Sequence, residues 1–287
     1  MNEQKKLFLS LMVGAIGIVY GDIGTSPLYA IKNCFTAHKV ALTEINILGV
    51  SSLIFWSLVI VVSFKYVFLI LKLDNQEEGG ILTLTYLCSK IKNKFSTYIL
   101  TLGMIGTSLF FGDAIITPAI SVLGALEGLS IISKESEVYI IPISLIIISL
   151  LFLNQKRGSA KIGMVFGAVM LLWFLIIGYL GLIQIIKVPS ILLSINPYYA
   201  MKFLLLNKYV GILTLGTTVL VVTGAEALYA DIGHFGKMPI KIAWYFIVFP
   251  LLVLNYLGQA ALLMHNPKAI VNPFYLLAPD WFLYPLI

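Results

Sequence analysis

Apolar residues run through this chain in stretches longer than a soluble core helix requires, with short polar segments between them. A helix needs roughly 20 residues to cross the hydrocarbon core of a bilayer. Seven stretches are predicted to span on that ground, at 7–34, 45–71, 97–126, 138–154, 162–186, 209–233 and 240–264. The fourth is the shortest and holds Pro142. An eighth opens at Trp281 and runs only to Ile287. The chain therefore reads as a transmembrane domain over 1–264, then an external loop and the truncated start of another span over 265–287.

Three of these stretches contain residues that a plain spanning helix excludes. In the first, GIVYGDIGTSPLYA runs from Gly17 to Ala30 and holds a carboxylate, hydroxyls, three glycines and a proline. An ionised side chain or open backbone survives at bilayer depth only when it faces protein or internal water. The run is therefore read as an interrupted helix lining a cavity. Gly21 and Gly24 loosen the backbone around Asp22, and Thr25 or Ser26 is placed to cap a second half-helix opening at Pro27. Carbonyls from the first half and the unwound link, with Asp22 as countercharge, make an oxygen-lined seat for a dehydrated cation. Tyr29 falls on nearly the same helical face as Asp22.

In the third stretch Asp113, Thr117 and Ser121 recur every four residues and form one polar stripe on an otherwise apolar helix. Pro118 frees a carbonyl one turn earlier, near Ala114. Glu127, at the outer end, is expected in solvent. The sixth stretch carries Gly224 and Glu226 at its middle, with Thr223 and Glu226 facing one cavity across a helical turn. Asp231 and His234 follow, the histidine read as interfacial and without a role. The interrupted stretches are first and sixth in order, the spacing of two five-helix repeats of opposite orientation. Stretches four and five read as scaffold, with Gly163, Gly167, Gly178 and Gly181 allowing close packing. Lys65, about two turns from one end of the second stretch, is expected to snorkel.

With 60% hydrophobic and 11% charged residues, the composition is that of a multi-pass membrane protein with no separate soluble domain. A net charge of +6 would suggest nucleic acid in a soluble protein, but here its distribution decides. With the N-terminus cytoplasmic, Lys5, Lys6, Lys72, Lys90, Lys92, Lys94, Lys156, Arg157, Lys161, Lys237 and Lys241 lie inside, 11 of the 19 basic residues against 7 outside. That bias favours this orientation. No cleavable leader is expected, since the first apolar run carries the polar motif itself. Cys34 and Cys88 fall at opposite faces, which argues against a disulfide, and neither joins a metal-ligand cluster. The lack of a nucleophile–base pair points away from an enzyme.

These blocks also carry a family resemblance. YGDIGTSPLY, from Tyr20 to Tyr29, resembles the signature of the KUP/HAK/KT potassium uptake permeases. Gly112–Asp113 with TPAISV is similar to that family's acidic third-span block, and TGAEALYADIGHFGK, LNYLGQAALL and NPFYLLAPDW extend the likeness. At the loop from Asp74, Glu78, Gly79 and Gly80 fit a glycine–glutamate–glycine–glycine block, while Glu77 replaces its first glycine. No site residue is assigned to that loop, which is read either as a tight turn leading into the third span or as a solvated charged loop. The resemblance implies an all-α membrane protein with the inverted-repeat (5+5) broken-helix fold of the amino acid–polyamine–organocation (APC) superfamily, truncated after about seven spans. It implies potassium uptake across the bacterial cytoplasmic (inner) membrane as a potassium:proton symporter, without a cofactor, and a homodimer at full length.

Three deep carboxylates beside one monovalent cation cannot all stay ionised, so a cation site here is also a proton site. Potassium is coordinated by hydroxyl and carbonyl oxygens of moderate field strength, and the choice of potassium over sodium comes from the resemblance. On this reading Asp22, Tyr29 and Thr223 hold potassium with the opened backbone, and Thr117 and Ser121 add ligands or a second site. Glu226 carries the coupling proton, with Asp113 as the alternate carrier, and no transition metal is involved. An APC-type amino acid permease would want an uncharged break for its substrate's carboxylate, against which Asp22 argues. A truncated, non-transporting remnant or subunit is the other alternative, suggested by the end at Ile287.

Overall fold

The computed structural model describes residues 3–90, 96–154 and 159–287, without side chains over 154–164. Lys92, Lys94, Lys156 and Arg157, the side chain of Lys161 and the surroundings of Gly163 lie outside the described residues. Among those described, every named element is helical, and one isolated bridge joins Asn75 to Glu78. Six helices are long and apolar enough to cross a membrane, and one bent pair makes a seventh.

That pair is the first span. α1 (Glu3–Ile18) meets α2 (Gly21–Thr25) and its 3-10 continuation Ser26–Leu28 at 58°, and α3 (Ala30–Thr36) follows. The second span opens as α4 (Glu44–Ser57), where the Thr43 hydroxyl accepts the Asn46 N–H, and continues as a π-helix over Leu58–Leu69. α5 (Ile81–Ser89) leads into the third span, α6 (Ser96–Ile132). α7 (Glu137–Asn154) and α8 (Ser159–Lys187) are the fourth and fifth. α9 (Pro197–Thr217), a 3-10 stretch Thr218–Val222 and α10 (Ala227–Ala230) make the sixth. α11 (Ile232–Phe235) turns the chain into α12 (Lys237–Ala243) and α13 (Phe249–His265), the seventh span, which are joined by a π turn at Trp244–Val248. The chain ends in α14 (Leu283–Leu286).

The sixth helix begins at Pro197 rather than at the predicted 209, because the Asn196 side chain accepts the Tyr198 N–H and Pro197 starts a helix well. Its first three turns lie across α4, with Phe203 buried on Gly49 and Asn207 donating to the Asn46 side chain at 3.0 Å. The chain then kinks at Lys208, whose φ is +43°, and descends.

Close backbone approach organises the centre. Gly17 of α1 meets Gly167 of α8, and Gly181 of α8 meets Gly258 of α13, so close that a Cβ on Gly17 or Gly258 would overlap the backbone opposite. In lipid this small-residue packing replaces the hydrophobic drive that holds soluble bundles together. Gly178 packs on Leu251 in the same seam. The fifth span is therefore a central strut. The fourth is peripheral, with 11% of its apolar window buried against 61% for the second and seventh.

Polar side chains cross the seams. Asn255 Nδ2 donates to the Ile177 carbonyl at 3.0 Å, and Gln259 Nε2 to Asn255 Oδ1 at 2.7 Å and to the Pro27 carbonyl at 3.0 Å. Ser63 joins the two π segments: Trp244 Nε1 donates to its hydroxyl at 2.9 Å and Tyr245 Oη to its carbonyl at 3.0 Å. Each such bond is worth about 0.6 kcal/mol in a membrane protein, rarely more than about 1.7. They fix register more than they hold the bundle. Cys34 and Cys88 are both free thiols.

Candidate functional site

The break in the first span is set by Tyr20, which the sequence reading passed over. Its ring is fully buried and stacked on Trp244 at 5.8 Å, and its hydroxyl donates to the Ile240 carbonyl at 2.7 Å. Anchored to the seventh span, Val19 and Tyr20 leave the helix just ahead of the loosening expected around Asp22, which itself lies in α2. Thr25 and Ser26 do not cap a new helix either. Both hydroxyls turn back to the Asp22 carbonyl, at 2.9 and 3.3 Å.

The expected cradle of open carbonyls is also partly filled. Trp173 Nε1 donates to the Gly24 carbonyl at 2.8 Å, Gln259 takes that of Pro27, and the Asp22 carbonyl is held as above. Side-chain oxygens are thus the larger share of what this break offers a cation. Tyr29 is buried, its hydroxyl near Ser26 and within electrostatic reach of Asp22 and Asp113.

The third span brings its polar stripe to this break. Thr117 Oγ1 donates to Asp113 Oδ1 at 2.8 Å, and the Ser121 and Thr25 hydroxyls lie 2.9 Å apart. The helix passes Pro118 without interruption, and Ala114 is exposed on its outer side. Glu127 is not simply solvated: Lys32 Nζ donates to it at 2.8 Å, tying the far ends of the first and third spans together.

The sixth span unwinds opposite. Thr223 leaves the helix with ψ 137°, and Gly224 has φ +85°, a conformation glycine adopts without strain. Gly224 lies directly on the first break, where an added Cβ would stand 2.5 Å from the Asp22 Cβ and 3.2 Å from the Ile23 amide. Residues 223–226 are turn rather than helix, so the predicted pairing of Thr223 and Glu226 across one helical turn does not form. The Thr223 hydroxyl bonds back to the Val219 carbonyl at 3.3 Å.

Glu226 instead reaches the third span. Its carboxyl lies beside that of Asp113, and it also feels the charge of Asp22. Among the described residues no three His, Cys, Asp or Glu side chains form a group that could hold a metal ion. Asp22, Tyr29, Asp113, Thr117, Ser121 and Glu226 are brought together, while the Thr223 hydroxyl turns away.

A cavity of about 310 Å³ opens beside Glu226, with Lys65, Tyr66, Thr107, Phe110 and Tyr229 among its walls. Its floor is the loop after the second span, which is more than a solvated turn. Tyr229 Oη donates to the Leu73 carbonyl, Gly79 packs on the Tyr229 carbonyl, and Lys237 Nζ donates to Asp74 Oδ1 at 2.6 Å. The Lys237 hydrogen bond holds the Asp74 carboxyl below the usual carboxylate range. Asp231 and the exposed His234 form a looser pair at 3.6 Å.

Comparison with known proteins adds a family. Residues 9–287 match the K+ potassium transporter integral membrane domain. A "Probable potassium transport system protein Kup" of Methylococcus capsulatus is 53% identical over 98% of this chain and 45% of its own length. A "Probable potassium transport system protein Kup 2" of Chromobacterium violaceum is 52% identical over 100% of this chain and 46% of its own. The chain thus spans about half the length of the curated relatives it matches. No solved structure matches it.

Proposed function

The chain belongs to the K+ potassium transporter family, and from that premise we propose that it forms the ion-holding part of a potassium:proton symporter of the bacterial cytoplasmic membrane. It is a transporter chain rather than an enzyme, and works without a cofactor. The observation that carries this reading is the contact of Gly224 with Asp22, which sets the two interrupted spans against each other where the third span delivers Asp113.

A charged side chain at the centre of a span costs about 2.5–3.5 kcal/mol. Three unpaired carboxylates at this depth would forfeit roughly 8–10 kcal/mol, so ions and protons must neutralise them. Potassium is held by the Asp22 carboxylate and the Tyr29, Thr117 and Ser121 hydroxyls, with the Thr223 backbone at the second break. Thr223 contributes its hydroxyl only if that group swings from Val219. Glu226 carries the coupling proton and Asp113 is the alternate carrier, a pairing supported by the closeness of the two carboxyls. Breaks in the first and sixth spans suit the 5+5 inverted-repeat fold, in which rocking of one bundle against the other alternates access. The N-terminus is placed in the cytoplasm by the distribution of Lys and Arg.

Rescue of a bacterium lacking potassium uptake tests this directly. The chain is expressed alone and joined to the C-terminal half of the Methylococcus capsulatus relative. Growth at low potassium with either form supports the reading. Failure of both, with the protein present in the membrane, contradicts it.

A further inference from the structure

With the potassium ion gone, the three carboxylates have too little positive charge beside them. The second span holds a cation that can stand in for it. Lys65 lies in the π-helical stretch Leu58–Leu69, a distortion that recurs at functional positions in helices. Lys65 is exposed, in keeping with snorkelling, and it also lines the cavity that Glu226 lines. Its Nζ stands 5.0 Å from the ring of Tyr66, and Tyr66 is close enough to Glu226 to feel its charge. Among the described residues Lys32 pairs with Glu127 and Lys237 with Asp74, whereas Lys65 rests on an aromatic face with a carboxylate lining the same cavity.

We infer that Lys65 is a tethered counter-cation of the ion site, which takes the Glu226 carboxylate when the transported ion is absent and returns to the Tyr66 ring when it arrives. The inference rests on the reading of Glu226 as part of a cation-and-proton site. An ammonium on a flexible stem is a compact monovalent charge, able to substitute electrostatically for potassium and to be displaced by it. A cation over an aromatic face is only weakly held, which makes Tyr66 a suitable resting place. Lys65 so placed is a positioning residue that sets how tightly the site holds its cargo.

Thermal unfolding of the full purified chain tests the pairing whether or not the chain transports. Lys65→Met, Glu226→Gln and the double variant are compared in choline buffer and in potassium buffer. In choline the two single shifts in Tm are expected to be non-additive, the double variant lying no lower than the worse single one. In potassium the coupling is expected to vanish, and Lys65→Arg should keep the wild-type pattern in both. Rubidium binding should be roughly tenfold tighter in Lys65→Met, since one repelling charge is gone. Additive shifts in choline, or unchanged rubidium affinity, overturn the inference and leave the uptake test untouched. Failed uptake with intact coupling removes the transport reading instead.

Discussion

The hydroxyls of Thr25 and Ser121, ninety-six positions apart in the chain, lie 2.9 Å from each other and join the broken first span to the third. Because an interhelical bond of this kind contributes only about 0.6 kcal/mol, its loss should barely disturb the fold. Ser121→Ala is expected to lower Tm by no more than a few degrees while raising the half-saturating rubidium concentration for binding several-fold. A large Tm loss with unchanged affinity would make the pair structural only.

Gly224 gives a sharper test, since its φ of +85° and its contact with Asp22 leave no room for a methyl group. An L-residue in such a conformation costs about 1–3 kcal/mol, before the clash is counted. Gly224→Ala should destabilise the chain by at least that and abolish rubidium binding. Gly216→Ala is the control: Gly216 lies in α9 with nothing within 4 Å of an added Cβ, and that change should be neutral or stabilising. Equal behaviour of the two variants would remove the close contact from consideration.

Glu226→Gln removes a titratable group from the cavity while keeping its shape. In a transporting form, uptake should continue without an accompanying proton, so that acidification of the medium no longer drives it. Proton-driven uptake that survives this change would move the proton to Asp113.

The loop beneath the cavity has its own pH signature. Lys237 holds the Asp74 carboxyl below the usual carboxylate range, so this pair stabilises the fold fully above the unfolded value of about 3.9. The contribution is lost as pH falls through the lower folded value. Tm of the wild type should therefore exceed that of Asp74→Asn at neutral pH, and the gap should close on the acid side of about pH 4. A gap that widens on acidification would mean that the pair is not what holds this loop.

How much of this was legible varies with the range of the interaction. Apolar run length sufficed to find the six helices long enough to cross and the bent first pair, and the misfit of Asp22, Asp113 and Glu226 marked the interrupted spans and the polar stripe. The exact break was hidden because Tyr20 takes its position from Ile240 and Trp244, 220 and more residues away. Local capping rules pointed to Thr25 and Ser26, but both hydroxyls found the Asp22 carbonyl instead. Glu127 and Asp74 looked solvated because their partners, Lys32 and Lys237, are distant in sequence. Asn255 and Gln259 did leave a signal, two amides four apart in an apolar run, and they prove to hold the fifth and first spans.

Asp22 remains the residue on which the site depends, and rubidium binding to purified Asp22→Asn beside the wild type measures it most directly. Saturable binding by the wild type, absent from a variant that unfolds at a similar temperature, is the predicted result. Binding of undiminished affinity in Asp22→Asn would contradict the placement of the ion between the two broken spans.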